Sequence, residues 1–121
     1  MATHKELIVW QKGIELVKLI YQQTQTFPKE ELHGLTSQMR RCVVSIPSNI
    51  AEGSGRHSDK ELIQFLYIAL GSASELETQL IISKELFFMD NETFEKLSSL
   101  NNEVIKLLSA LLNYIKNKSN S

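Results

Sequence analysis

The chain has 121 residues, 42% apolar and 22% charged, which fits one soluble globular domain with a single core. Its formal net charge of -1 provides no global field toward nucleic acid or membrane, so any polyanion binding needs a local patch. The one cysteine, Cys42, rules out an internal disulfide and suits a reducing cytoplasm. His4, Lys5 and Glu6 stand where a signal peptide would build its apolar segment, and no run approaches the ~20 apolar residues that span a bilayer.

A first helix is expected from about Leu7 to Thr26. Leu7, Trp10, Ile14, Val17 and Tyr21 recur at helical spacing, and Leu16 and Ile20 widen that stripe. Gly13 weakens the helix and permits close approach of another backbone. Thr3 and Glu6 have capping-box spacing. Phe27-Pro28 closes the helix, because the residue before proline avoids the α region. Lys29 to Gly34 reads as a connector with one helical turn.

The second helix is expected at residues 35–52 and is the most informative stretch. At 100° per residue, Met39, Cys42, Val43, Ile46, Ile50 and Gly53 share one face. Arg41, Ser45, Ser48 and Glu52 share the other, with Asn49 on the border. Pro47 lacks an N–H, so the Val43 carbonyl loses its helical partner and a kink is expected, with Ser45, Ser48 or Asn49 satisfying the freed backbone. Gly53 and Gly55 are expected to end the helix with positive φ. Cys42 reads as a small buried hydrophobe.

The third helix is expected at 58–87, opened by the capping box Ser58-Asp59-Lys60-Glu61. Its main stripe is Leu62, Phe65, Leu66, Ala69, Ala73, Leu76, Leu80 and Phe87. Ile63, Tyr67, Leu70 and Ile81 form a second stripe. The small residues Ala69 to Ser74 leave room for a neighbouring helix. Asp90-Asn91 caps a fourth helix at 92–117, with Phe94, Leu97, Val104, Leu108, Leu111 and Ile115 in its stripe and Leu100, Leu107, Leu112 and Tyr114 beside it. Ser119–Ser121 is expected to fray. No period-2 run or hairpin turn competes. Four helices with short connectors predict an all-α, up-down-up-down antiparallel four-helix bundle over 1–121. The apolar surface exceeds what one core uses, and self-association through the second stripe is expected.

Leu7-Ile-Val-Trp10-Gln-Lys, Ser45-Ile-Pro-Ser-Asn-Ile-Ala-Glu-Gly53, Ala69-Leu-Gly-Ser72 and Glu75-Leu-Glu-Thr-Gln-Leu80 resemble the bacterial four-helix bundle protein family. That family is linked with intervening sequences in large-subunit ribosomal RNA genes. The resemblance runs from Leu7 into the fourth helix and implies a homopentameric ring of bundles. A related member, the accessory variability protein of diversity-generating retroelements, is a basic nucleic-acid-binding partner of a reverse transcriptase. This chain departs from that relative in being slightly acidic.

The candidate nucleic-acid site is Arg40, Arg41, Arg56 and Lys60. Gly53 and Gly55 would shape a backbone nest, His57 lies beside it, and the start of the third helix adds free N–H groups. Such contacts would read RNA or DNA phosphates in a salt-dependent way. The simpler reading pairs Arg41 with Glu52 or with an acid on another helix, and leaves Arg56 and Lys60 solvated. No aromatics are interleaved for base stacking. No catalytic residues, metal ligands or cofactor are assigned. Glu30-x-x-His33 occurs once, in a connector, whereas a di-iron bundle needs two such pairs and two more glutamates. Glu75 and Glu77 leave their helix in different directions. His4, His33 and His57 read as solvated, and Trp10 as a core anchor. Pro47, Asn49, Glu52, Gly53 and Ser72 form the structural motif, with Asn49 and Ser72 expected to hydrogen-bond to freed backbone or across helices. Two functions remain: a non-enzymatic oligomeric nucleic-acid accessory protein, or a structural scaffold that binds protein. Arginines converging on one exposed face favour the first. Arginines spent on Glu52, Glu75 or Glu77 favour the second.

Overall fold

The protein is described by a computed structural model over residues 3–119. It is an all-α four-helix bundle of α1 (Ile8–Thr24), α2 (Leu35–Ser54), α3 (Asp59–Glu85) and α4 (Asn91–Ser119), with 3₁₀ turns at His4–Glu6 and Lys29–Glu31. Each helix packs on the next and α1 closes against α4. The diagonal pairs make no close backbone contact among the described residues, which is the antiparallel up-down-up-down arrangement. The chain end beyond Ser119, where fraying is expected, lies outside the described residues.

The helix ends follow local chemistry. Thr3 and Glu6 do not form a capping box: the Glu6 N–H donates to the Thr3 carbonyl in a 3₁₀ turn, and α1 begins only at Ile8. At the other end, the Thr26 and Phe27 amides fold back onto Gln23 and Thr24, so α1 stops before Phe27-Pro28 is reached. The Glu31 carboxylate accepts the Leu35 amide at the start of α2. The Ser58 hydroxyl accepts the Glu61 amide at 3.2 Å, as its capping box requires. The Asp90 carboxylate accepts the Thr93 amide at 2.8 Å, and that bond holds its pKa below the usual carboxylate range.

Several expectations about faces change. The α2 face is as predicted, with Met39, Cys42, Val43, Ile46, Ile50 and Gly53 all buried. On α1 the buried stripe is Val9, Gly13, Leu16 and Ile20, while Ile14 and Tyr21 point outward. The reason is Gly13. A Cβ there would sit 3.4 Å from Pro47 Cβ, so α1 rests directly on the proline of α2 and turns that side inward. In α3 the main stripe holds except at Phe87, which lies past the helix end and is 92% exposed.

Neither Gly53 nor Gly55 takes positive φ, and α2 continues to Ser54. Gly53 is instead a packing glycine: an added Cβ would lie 2.8 Å from Phe65 Cβ and 3.0 Å from Leu62 Cδ1 of α3. The left-handed residue is Phe87, at φ 60°. Its N–H donates to the Lys84 carbonyl and the Phe88 N–H to the Ser83 carbonyl, the Schellman pattern that normally uses glycine.

Three glycine-related substitutions separate these roles in denaturant titrations. Gly53→Ala is expected to cost about 2 kcal/mol through overpacking against α3. Gly13→Ala is expected to be neutral, or to add up to ~1 kcal/mol, because its Cβ fits in contact and helix propensity improves. Phe87→Gly is expected to add ~1 kcal/mol by relieving the left-handed strain.

Candidate interaction surfaces

The four basic candidates do not converge. Arg40 turns toward α1: its Nε donates to Thr24 Oγ1 at 2.9 Å, and its guanidinium lies 4.7 Å from the Tyr21 ring centre. Arg56 pairs with Glu52 at 2.6 Å and stacks 4.8 Å over the Phe65 ring. Glu52 therefore takes Arg56 rather than Arg41. Arg41 and Lys60 are exposed and make no hydrogen bond or ion pair among the described residues. About 20 Å of helix separates Arg40 from the end of α2. The backbone nest expected at Gly53 and Gly55 is absent, because both keep negative φ. The Gly55 and Arg56 amides are also already bonded, to Ala51 and Gly53 carbonyls.

A polar seam joins α2 to α3 through the residues of the structural motif. The Ser45 and Ser72 hydroxyls are 2.8 Å apart across the helices. Asn49 Nδ2 donates to the Ser45 carbonyl at 2.7 Å and to the Ser45 hydroxyl at 2.9 Å. Asn49 therefore serves the Ser45 carbonyl rather than the Val43 carbonyl that Pro47 leaves behind. Ser45, expected on the exposed face, is half-buried by this bond. The Cys42 thiol donates to the Ser72 carbonyl at 3.0 Å. Burial and the neighbouring Glu75 carboxylate push that thiol up to about 12. The seam is built to hold two helices, and its thiol is the opposite of an activated nucleophile.

Composition and stripes did not reveal the buried polar residues Gln79 and Asn101. Asn101 Nδ2 donates to the Ala73 carbonyl at 2.9 Å and ties α4 to α3. Its position between Leu97 and Val104 in the α4 stripe was the available signal. His4, expected to be solvated, lies edge-on to Trp10 with ring centres 5.3 Å apart. Among the described residues no cluster of His, Cys, Asp and Glu has the makings of a metal site, and no helix is long and apolar enough to cross a membrane.

A surface that the protomer does not explain lies on the outside of α3. Ile68, Gly71, Glu75, Thr78 and Ile82 recur at three- and four-residue steps, and all are exposed. Tyr67 and Ile81 flank them, and Tyr67 is anchored by a 2.8 Å bond from Lys116. Gly71 has nothing within 4 Å of where its Cβ would be. A mid-helix glycine costs ~1 kcal/mol relative to alanine, and no contact within the protomer requires it. Between Glu61 and Ser83 this helix carries no cation.

Two measurements check the seam. Asn49→Ala is expected to cost about 1 kcal/mol in denaturant titration, since a cross-bonded hydroxyl and carbonyl lose their donor. Cys42 is expected to resist thiol reagents at pH 8 until the chain unfolds. Its folded pKa is raised, so its contribution to stability is complete below the ordinary value of 9.0 and is lost as pH rises toward about 12. The alkaline loss of stability in that window is expected to be smaller in Cys42→Ala.

Comparison with other proteins agrees with this architecture. A crystal structure from Bacteroides thetaiotaomicron, of a protein with unknown function from the S23 ribosomal protein family, is similar with a TM-score of 0.79 and 25% identity, covering 88% of this chain and 96% of that one. No functionally curated protein matches the chain. Residues 5–110 match the family described as 23S rRNA-intervening sequence protein. With the bundle, the Ser45–Gly53 block and this match in agreement, the chain belongs to the 23S rRNA-intervening sequence protein family.

Proposed function

We propose that this protein is a non-enzymatic cytoplasmic scaffold that works as a homo-oligomer, a pentamer by its resemblance to the four-helix bundle family. The observation that carries this reading is the outer seam of α3, where Ile68 and Ile82 flank an exposed glycine that nothing inside the protomer explains. Large apolar side chains in water gain about 25 cal/mol for each Å² covered, and an exposed glycine lets a partner come close. The polar residues of the α2–α3 seam are hydrogen-bonded to one another, which supports structure rather than turnover. Two of the four basic candidates are spent on Thr24, Tyr21, Glu52 and Phe65, which weakens a nucleic-acid face on the single protomer.

A second reading keeps nucleic acid as a ligand of the assembly. It is favoured by Arg41 and Lys60, which are exposed and unpaired among the described residues and would repeat around a ring. Phosphate contacts from repeated cations add together and weaken steeply with salt.

Native mass spectrometry and a salt series with labelled duplex DNA and structured RNA test both readings. The scaffold reading expects one discrete oligomer and no binding tighter than micromolar at physiological salt. A monomer at all concentrations would overturn it. Tight, salt-sensitive binding that is lost in Arg41→Ala/Lys60→Ala, with the oligomer intact, would establish the second reading instead.

A further inference from the structure

We propose that the cleft at the α1–α2 connector binds a small organic carboxylate with an apolar body. The cleft measures about 360 Å³ and lies where α1 stops, the Lys29–Glu31 turn follows and α2 begins. Small-molecule pockets start at about 300 Å³, so it has room for one compact ligand. Its shape follows from the chain around it: the Thr26 and Phe27 amides fold back on α1, and Pro28 leads into the turn. Phe27, Pro28 and Leu32 form the apolar part of the wall. Phe27 also packs on Phe88, with ring centres 5.5 Å apart, which fixes that wall.

Two cations stand on the same wall. Arg40 is oriented before any ligand arrives: its Nε donates to Thr24 Oγ1 at 2.9 Å, its Nη2 donates to the Tyr21 carbonyl at 3.5 Å, and the guanidinium stacks on the Tyr21 ring. Of the five N–H donors of a guanidinium, two are thus engaged, and the other three have no carboxylate among the described residues. Lys29 is exposed and likewise has no ion pair there. The adjacent acids Glu30 and Glu31 are not on the wall, and the Glu31 carboxylate is turned to the Leu35 amide.

Thr36 supplies the observation that points to an occupant. It lines the cleft, is 3% exposed, and its hydroxyl has no hydrogen-bond partner among the described residues. Thr24, equally buried on the same wall, has its hydroxyl bonded to the Ile20 carbonyl and to Arg40. Buried hydroxyls are normally satisfied, so the partner of Thr36 comes from whatever fills the cleft. Thr36 also belongs to the first turn of α2, and helix starts favour an anion. A carboxylate meets each of these demands. It accepts paired N–H bonds from a guanidinium, accepts a hydroxyl, and is balanced by Lys29, while an apolar body covers Phe27, Pro28 and Leu32. An arginine already held in place loses little freedom on binding.

Isothermal titration calorimetry with 3-phenylpropionate, its neutral amide and inorganic phosphate tests the proposal. The acid is expected to bind saturably, and the amide and phosphate at least about tenfold more weakly, since one lacks the charge and the other the apolar body. Thr36→Val is expected to weaken binding about threefold or more without lowering Tm, because the hydroxyl holds nothing in the free protein. Lys29→Gln is expected to weaken it similarly, and Arg40→Gln by about tenfold or more in a variant confirmed as folded by circular dichroism. No saturable binding of the acid up to about 10 mM would overturn the proposal. So would an amide that binds as tightly as the acid, or unchanged affinity in both Thr36→Val and Lys29→Gln. The cleft is built within one copy of the chain, so none of these outcomes bears on the oligomeric reading.

Discussion

The close approach of α2 to α3 at Gly53 is the constraint from which much of this bundle follows. No Cβ fits between Gly53 and Phe65, so the two backbones lie closer there than ordinary side chains permit. Further along the same pair of helices, that proximity lets the short hydroxyls of Ser45 and Ser72 meet at 2.8 Å. Asn49 then closes the local accounts of Ser45, and Cys42 donates its proton to the Ser72 carbonyl. Small residues with polar tips do at this interface what large apolar side chains do elsewhere in the core. These half-buried groups bond to one another across and along the helices, each bond being worth about 1 kcal/mol, and so favour one alignment of the two helices.

The distribution of charge shapes the functional account. Arg56 and Glu52 neutralise each other beside the α2–α3 turn, and Arg40 is spent on α1. The residues that sequence alone groups as a phosphate site are thus spread over different faces, and half of them serve internal structure. The outer α3 seam is an apolar surface that the protomer does not explain. An exposed glycine flanked by isoleucines makes little sense in a helix that meets only water, and ready sense in one that meets another helix.

Much of the fold was legible because its signals are local. Periodicity located all four helices, Ser58 and Asp90 located two of their starts, and the buried face of α2 was read residue by residue. The misreadings have physical causes. On α1 the apolar stripe is wide, and the contact of Gly13 with Pro47 turns the side with Leu16 and Ile20 inward rather than the side with Ile14 and Tyr21. The glycines after Ile50 carry a turn signature, yet Gly53 is required by the helix opposite, a tertiary demand that no local pattern shows. Phe87 occupies a left-handed position that favours glycine, so its place outside the core was hidden. The basic candidates failed to converge because neighbours four residues away or on the adjacent helix claimed two of them, and spacing along the chain does not report such competition.

Hydroxyl-radical footprinting of the purified protein across a dilution series tests most directly whether the outer α3 seam is a contact surface. Ile68 and Ile82 are expected to be protected at high concentration and to become reactive on dilution, while Phe87 is oxidised readily throughout. Equal and concentration-independent oxidation of Ile68, Ile82 and Phe87 would contradict it, because the seam would then face water at every concentration.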